Sequence, residues 1–311
     1  MGRGYLFPEI PVVVTAQQAS IMLEICGEPK PGNVSEGKPF PDLSHEDFIY
    51  SAISVWEPLC DGYGKARRRD DDDEHLGGVF GSTLLSSARE AMSNRSNSIF
   101  GTLLVGIPLG VGACLSRKAG DIVPNARRLV AESDVEDSLN FGRAIEVCHV
   151  GGLEHQFIRE EAVEMDLNRP DFDAVIERNG VRLGELLSLS TGYDLLADEL
   201  TGGFQITSRY ARVYLDLLRE LHDPGRASGA LFCTLLSRYP DTLVARKAGT
   251  EEAERVRGMA EEAMELDLGS TSWRESMENL DGYLRGKGLN PGTLADITSV
   301  SIFLALLDPG N

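Results

Sequence analysis

Apolar residues recur along this chain at the three-to-four-residue spacing of helices, and no alternating run of period two competes with them. Thr15 as a capping residue, followed by Ala19, Met22, Leu23 and Cys26, predicts a first helix over 15–26 that Gly27 and Pro29 end. Ser44 with Asp47 has the form of a capping box ahead of Phe48, Ile49, Ala52, Ile53 and Trp56, which predicts a second. The period resumes at 84–92 and again after Ser133, where Glu136 completes another box. Amphipathic segments follow at 183–200, 206–221, 227–238, 251–266, 273–284 and 294–307.

Three stretches break the pattern. Residues 99–115 carry no charge, but they are shorter than the ~20 residues a bilayer needs. Gly101, Gly106, Gly110 and Gly112 with Pro108 suit a tightly packed buried helix better. Residues 65–74, three Arg followed by four Asp, have no apolar period and read as a solvated loop, with a metal-binding role for the aspartates the lesser alternative. Residues 159–182 hold Pro170, Asn179 and Gly180 and leave room for a hairpin or an irregular excursion. The fold expected is all-α, a single multihelical array over 1–311 around a buried Gly-rich central helix, with no linker or repeat dividing it.

Charge narrows the partners. A formal net charge of −19 repels a phosphate backbone, so nucleic acid is not an expected partner, and no membrane is expected either. A polyphosphate ligand meeting such a chain needs a divalent cation or a local basic pocket, which brings Mg2+ into consideration. Five scattered cysteines without C-x-x-C spacing, and no basic-then-apolar leader, point to reduced thiols and a cytoplasmic setting. The pattern sets no oligomeric state.

Common catalytic signatures are missing. Gly64-Lys65 is followed by Ala66 and Gly286-Lys287 by Gly288, so no P-loop is present, and H-E-x-x-H and G-x-S-x-G are absent. Cys148, His149 and His155 match no familiar zinc spacing and read as ordinary residues. Four other segments carry more. In Glu24–Asn33 two prolines fix the backbone around Lys30, Gly32 permits close approach, and Asn33 offers an amide, which suits a phosphate and a sugar as well as a plain helix exit. Asn94-Arg95-Ser96-Asn97-Ser98 precedes the Gly-rich helix, where free backbone donors attract anions, though simple capping by Asn or Ser is the more natural local reading. Asp241 to Gly249 sets an acid, Arg246 and Lys247 on one short helix, and Asn290-Pro291-Gly292-Thr293-Leu294-Ala295-Asp296 has a Thr-x-x-Asp capping form.

Taken together and in this order, the P-K-P-G segment, the Asn-to-Gly segment before a hydrophobic helix, the D-T-x-x-x-R segment and the final N-P-G-x-x-A-D resemble the triphosphoribosyl-dephospho-coenzyme A synthase family over residues 16–307. The P-D-T-L-V-A-R-K-A-G form, with Tyr193-Asp194 and Gly203-Phe204, is most similar to its archaeal-type branch. The chain departs from the bacterial N-T-H-K-G pattern at Asn97-Ser98-Ile99-Phe100-Gly101, where Ile99 and Phe100 stand for the His and Lys.

The resemblance implies a helical transferase in which a ribose hydroxyl of 3'-dephospho-coenzyme A displaces adenine from the anomeric carbon of ATP, the triphosphate staying on the transferred ribose. A related transferase with another acceptor, pterin-like, or a non-catalytic nucleotide-binding relative are the alternatives. It also implies roles. Asp47, Asp241 and Asp296 share catalysis, with Asp241 and Asp296 also on Mg2+, and Glu24 and Asp194 stand in reserve. Lys30, Arg246 and Lys247 meet phosphates, while Asn33, Asn97 and Asn290, with Gly32 and Gly101 giving close approach, meet sugar or phosphate oxygens.

Overall fold

The computed structural model describes residues 8–93, 98–150, 165–167 and 169–308. Sixteen α-helices fill these residues, and the only sheet-like pairings among them are two isolated bridges, Ser35 with Lys38 and Phe40 with Leu43. The all-helical reading of the sequence is therefore right. No helix among the described residues is long and apolar enough to cross a membrane.

Contacts gather the chain into two compact units. The first takes residues 1–19 and 50–205, the second residues 20–49 and 206–311. Helix α1 (Ile10–Ile25) contributes to both, as does α2 (His45–Ser54).

In the first unit, α3 (Trp56–Asp71) packs on α4 (Val79–Ala91) and α5 (Phe100–Cys114), α6 (Ile122–Ala131) packs on α5, and α7 (Val135–Cys148) lies along α4. Every residue of α5 is buried, which its lack of charge requires. Its glycines set how near its neighbours come. A Cβ on Gly110 would lie 2.1 Å from the Tyr63 hydroxyl, and one on Gly112 would lie 2.3 Å from the Ile122 carbonyl oxygen. Pairing across this unit is completed by the Asp137 carboxylate, which accepts hydrogen bonds from Gly78 N (2.8 Å) and Gly81 N (2.6 Å) at the start of α4.

Several local expectations are corrected here. Residues 65–71 are helical, the end of α3, because Ala66 and Asp70 are buried and Asp70 pairs with Arg128 on α6, giving the charged run an inner face that no apolar period announces. The capping box at α7 is Asp134 with Asp137, one residue on from Ser133 and Glu136. The Ser133 hydroxyl instead donates to Val130 O (2.7 Å) and accepts from Gly184 N (3.0 Å). Of the 159–182 excursion, residues 159–164 and 168 lie outside the described residues, and α8 (Phe172–Asn179) takes up much of the rest, with Asn179-Gly180 as its left-handed exit. The segment 183–200 divides into α9 (Leu183–Ser188) and α10 (Leu195–Gly202), separated by a turn with Gly192 at φ 82°. Helix α1 begins at Ile10, so Thr15 caps nothing, and its hydroxyl donates back to Pro11 O (2.7 Å).

The second unit holds α11 (Gln205–Leu221) to α16 (Gly292–Leu307), counting all but the first residue of α11. Helix α12 (Pro224–Leu236) packs on α14 (Thr250–Met264) and α16, α14 packs on α13 (Thr242–Ala248) and α15 (Thr271–Gly286), and α13 touches α16. Asp223 caps α12 ahead of Pro224 at its first turn, the arrangement that Pro at a helix start favours.

Replacing Gly110 by Ala tests the close packing of α5. The gain in helix propensity, up to ~1 kcal/mol, is outweighed because the Tyr63 ring is fully buried, its hydroxyl is held by Gln17, and it has nowhere to move. Urea unfolding of Gly110→Ala is expected to show a net loss of ~1–3 kcal/mol, and a variant as stable as the parent would contradict the packing described.

Candidate functional site

Three of the four singled-out segments meet in the second unit, at residues 290–294. The first is held there by a side chain the sequence reading did not single out. Gly32 sits at φ 72°, and its N–H donates to Asp281 Oδ1 of α15 (2.8 Å). A Cβ at this position would lie 2.7 Å from Leu284 Cδ1 and 3.0 Å from Pro291 Cδ, so the residue must be glycine for space as well as for backbone conformation. Asn33, buried, donates from its side-chain amide to Pro291 O (3.4 Å).

Arg285, one turn after Asp281, gathers the rest of the loop. Its guanidinium bonds Asp281 Oδ1 (2.9 Å), donates to the carbonyls of Asn33, Lys38 (3.0 Å) and Pro39 (3.2 Å), and lies 4.9 Å from the centre of the Phe40 ring. Lys38 completes the set with an ion pair to Asp281 Oδ2 (3.0 Å). Burial alone would raise the Asp281 carboxyl, but the Gly32 N–H, Lys38 and Arg285 hold it below the ordinary carboxylate value. The i,i+4 spacing of Asp281 and Arg285 is the one signal in the sequence, and it reads there as a common surface pair.

The third segment enters through Asp241, which is 1% exposed. One oxygen accepts from Leu243 N (2.8 Å) and Val244 N (3.0 Å), capping α13, and the other accepts from Leu294 N (2.8 Å) in the first turn of α16. A single carboxylate thus serves the starts of two helices. Burial pushes its carboxyl up to about 6, against the pull of these three N–H groups and of Arg246. The same two segments are joined by Thr242 Oγ1 to Thr293 Oγ1 (3.2 Å) and by Lys247 Nζ to Asn290 Oδ1 (2.7 Å), and Gly292 leaves room for Leu243. The Thr-x-x-Asp box expected at α16 does not form. Its N-cap is Pro291, and Thr293 and Asp296 lie inside the helix, because Asp241 already supplies the acceptor from outside.

Other expected residues are placed as follows. Lys30 is buried and forms an ion pair with Glu24 (2.5 Å), also donating to the Glu24 carbonyl (3.1 Å), so the ammonium is turned back on its own segment. Burial raises the Glu24 carboxyl and Lys30 lowers it again. Asp47 is the reciprocal partner of Ser44 in the capping box of α2, Ser44 N donating to Asp47 Oδ2 (2.8 Å) and Asp47 N to Ser44 Oγ (3.3 Å). Asp296 is half-buried on α16, as is Arg246 on α13, and Lys247 is exposed. Asp194 caps α10 in the first unit through Leu196 N (2.8 Å).

The fourth segment belongs to the first unit, and Asn97 lies outside the described residues, as does His155. Gly101 is the second residue of α5 and buried. Ile99 and Phe100 are 2% and 8% exposed, Phe100 facing Phe141 at 6.4 Å between ring centres, so both are core residues. Among the described residues no group of three or more His, Cys, Asp or Glu is arranged to hold a metal ion.

Comparison with known proteins places the chain in a family. The CitG family model, described as ATP:dephospho-CoA triphosphoribosyl transferase, matches residues 12–311. A Streptococcus mutans protein assigned as 2-(5''-triphosphoribosyl)-3'-dephosphocoenzyme-A synthase is 22% identical over 300 residues, covering 93% of this chain and 94% of its own. A Streptococcus pyogenes protein assigned the same name is 21% identical with the same coverage. Among solved structures, one from Archaeoglobus fulgidus, assigned as a triphosphoribosyl-dephospho-coA synthase, superposes with a TM-score of 0.64 at 28% identity, covering 84% of this chain and 99% of that one. Matched by that family model over residues 12–311, the chain belongs to the ATP:dephospho-CoA triphosphoribosyl transferase family and is a transferase.

Proposed function

We infer that this chain transfers the triphosphoribosyl group of ATP to a ribose hydroxyl of 3'-dephospho-CoA and releases adenine, and that the meeting of three segments at residues 290–294 is the centre of its site. The observation that carries this reading is the set of bonds that join Asn33, Asp241 and Lys247 to that short stretch. The reaction breaks the bond from the ribose anomeric carbon to the adenine nitrogen and forms one to the acceptor oxygen. The hydroxyl proton is lost, and the departing base takes up a proton. Positive charge builds on the ribose as adenine leaves, so a carboxylate that accepts the proton or faces that charge is the main catalytic need.

Asp296 is our choice for that carboxylate. Asp241 spends its oxygens on three backbone N–H groups and is better cast as a positioning residue. Lys247 and Arg246, one helix turn away from that cap, are assigned to the triphosphate, with Asn290 and Asn33 orienting sugar or phosphate oxygens. Lys30, held by Glu24, is assigned to shaping its loop. Magnesium has no ready-made cage of protein carboxylates among the described residues, so it would arrive on the triphosphate, with at most one or two protein oxygens added. There it would neutralise phosphate charge. Substrates of this class and five free cysteines fit a cytoplasmic setting.

A second reading keeps the donor and changes the acceptor, to a pterin-like or other molecule. It is favoured by one observation: Ile99 and Phe100 are packed into the core where the bacterial pattern has His and Lys, so these two positions offer nothing to an acceptor phosphate. Adenine release from ATP measured with dephospho-CoA and with other acceptors separates the two readings, since only the first requires dephospho-CoA.

Asp296→Asn is expected to lower adenine release ~10²-fold or more, the usual size of a lost acid–base contribution, while leaving the unfolding midpoint in urea nearly unchanged. Full turnover in this variant would remove Asp296 from the reaction. Lys247→Ala is expected to raise the ATP concentration needed for half-maximal rate by roughly tenfold, equal to ~1.4 kcal/mol, with a smaller change in the maximal rate.

Asp241→Asn tests the cap instead. Its amide nitrogen would face either Leu294 N or the α13 donors, so a stability loss of ~1–2 kcal/mol is expected at pH 5. The pH dependence has a definite sign. Because the folded carboxyl titrates at about 6 and the ordinary value is 3.8, the folded chain holds a proton that the unfolded chain has released. Stability from that difference is full below 3.8 and is lost as pH rises through about 6. The advantage of the parent over Asp241→Asn should therefore shrink between pH 4 and pH 7, by on the order of 3 kcal/mol or less. A gap that widens over that range would refute the raised carboxyl.

A further inference from the structure

A cavity of about 280 Å³ opens in the second unit beside the loop that Asp281 and Arg285 hold. Basic side chains reach it from three separate elements: Lys38 from the loop, Arg226 from the first turn of α12 and Arg274 from the first turn of α15. Three cations around one cavity are unexpected in a chain of net charge −19 unless something anionic is to be met there. Lys38 is already committed to Asp281. Arg226 and Arg274 are exposed, and neither guanidinium has an ion pair among the described residues.

The rest of the lining limits what the anion is. Glu28 and Glu278 also line the cavity, and with Lys38 held by Asp281 the two guanidiniums of Arg226 and Arg274 are what is left for an anion, a number that suits the two phosphates of a diphosphate better than the longer, more highly charged triphosphate. Trp273, Leu221, Leu268 and Pro29 add an apolar wall, which suits an uncharged arm continuing from that diphosphate. The volume lies just under the ~300 Å³ at which ligand clefts usually begin, so the space takes part of a ligand and leaves the remainder outside. Two features tie it to the candidate site: Pro29 directly precedes Lys30, and Lys38 shares Asp281 with the Gly32 N–H.

We propose that this cavity is the acceptor subsite, in which Arg226 and Arg274 hold the diphosphate of a nucleotide bearing an uncharged arm and Trp273 flanks that arm. The proposal rests on the transferase reading above for its choice of ligand, since the acceptor of that reaction, dephospho-CoA, has this build and ATP does not.

Its test separates binding from turnover. The chain has two tryptophans, Trp56 and Trp273, so a Trp56→Phe protein reports Trp273 emission alone. Adding dephospho-CoA to it is expected to change that emission. In Arg226→Ala and Arg274→Ala made on the same background, the midpoint should move to at least tenfold higher concentration, with partial recovery in the Arg→Lys versions. ATP affinity by equilibrium dialysis should change less than twofold. Wild-type affinity for dephospho-CoA in both Arg→Ala variants would overturn the subsite while leaving the reaction intact, as would loss of ATP binding alone. A parent protein that binds dephospho-CoA through these arginines but releases no adenine from ATP would sustain the subsite and sink the reaction. A parent that does not bind dephospho-CoA would overturn the subsite.

Discussion

Helix starts leave backbone N–H groups without partners, and in this protein the junctions between helices are built on answering them with buried carboxylates. Asp241 does so for α13 and α16 together, one oxygen to each helix. Without an acceptor, the Leu294 N–H would be a buried donor costing ~1–3 kcal/mol, and the α16 start would have no reason to sit against α13. Because that contact sets where residues 290–294 lie, it also sets where Asn33 finds the Pro291 carbonyl and where Lys247 finds Asn290. The first unit uses the same device. Asp137, fully buried in the first turn of α7, takes Gly78 N and Gly81 N of α4 as well as Asp134 N of its own box. In each unit a carboxylate that caps locally also reaches a second helix, and the arrangement of the helices follows from the second bond.

This double use explains what the sequence did and did not disclose. Helix type is written in the apolar period, though not the number of helices, and a period of three to four survives into α11, α12, α14, α15 and α16 with boundaries close to those observed. The local sense of the caps is written too, in Ser44 with Asp47 and in Asp241 before α13. The long-range half is not, because a carboxylate two or three residues from its first partner carries no mark of a second one 53 positions away. Hence Thr293 with Asp296 reads as a box although Asp241 makes it unnecessary, and Asp281 reads as half of a surface pair although it holds Gly32 from 249 positions away. The helical stretch 65–71 fails for a related reason: its inner face is Ala66 and a salt-bridged Asp70, so the burial that selects the helix is not apolar.

Family order was legible where single motifs were not. Lys30, the one cation of the P-K-P-G segment, is enclosed with Glu24 in the bend from which Gly32 reaches Asp281 and Asn33 reaches Pro291. Burying both partners costs several kcal/mol of desolvation per ion before their attraction returns it, so the pair is best understood as fixing one conformation of the loop. The residues facing outward around it, Lys38 and the loop carbonyls gathered by Arg285, were invisible as a group in the sequence because they come together only through that bend.

What remains is how a chain this acidic handles anionic substrates. Clustered surface cations would attract phosphates at long range, but the present arrangement works at short range. Bases here are set against a carboxylate, as Lys38 is with Asp281, or share a cavity with acids, as Arg226 and Arg274 do with Glu28 and Glu278. Such mixed lining gives little steering at physiological salt, where the Debye length is ~8 Å, and discriminates by position instead. A ligand gains only if its phosphates meet the guanidiniums and its uncharged part the apolar residues; an unselective polyanion meets the two glutamates as well. Under the proposed acceptor subsite, acidity of the whole and basicity at a point are parts of one selection: a net charge of −19 repels polyanions in general, and two placed arginines offer a smaller phosphate ligand its local partners.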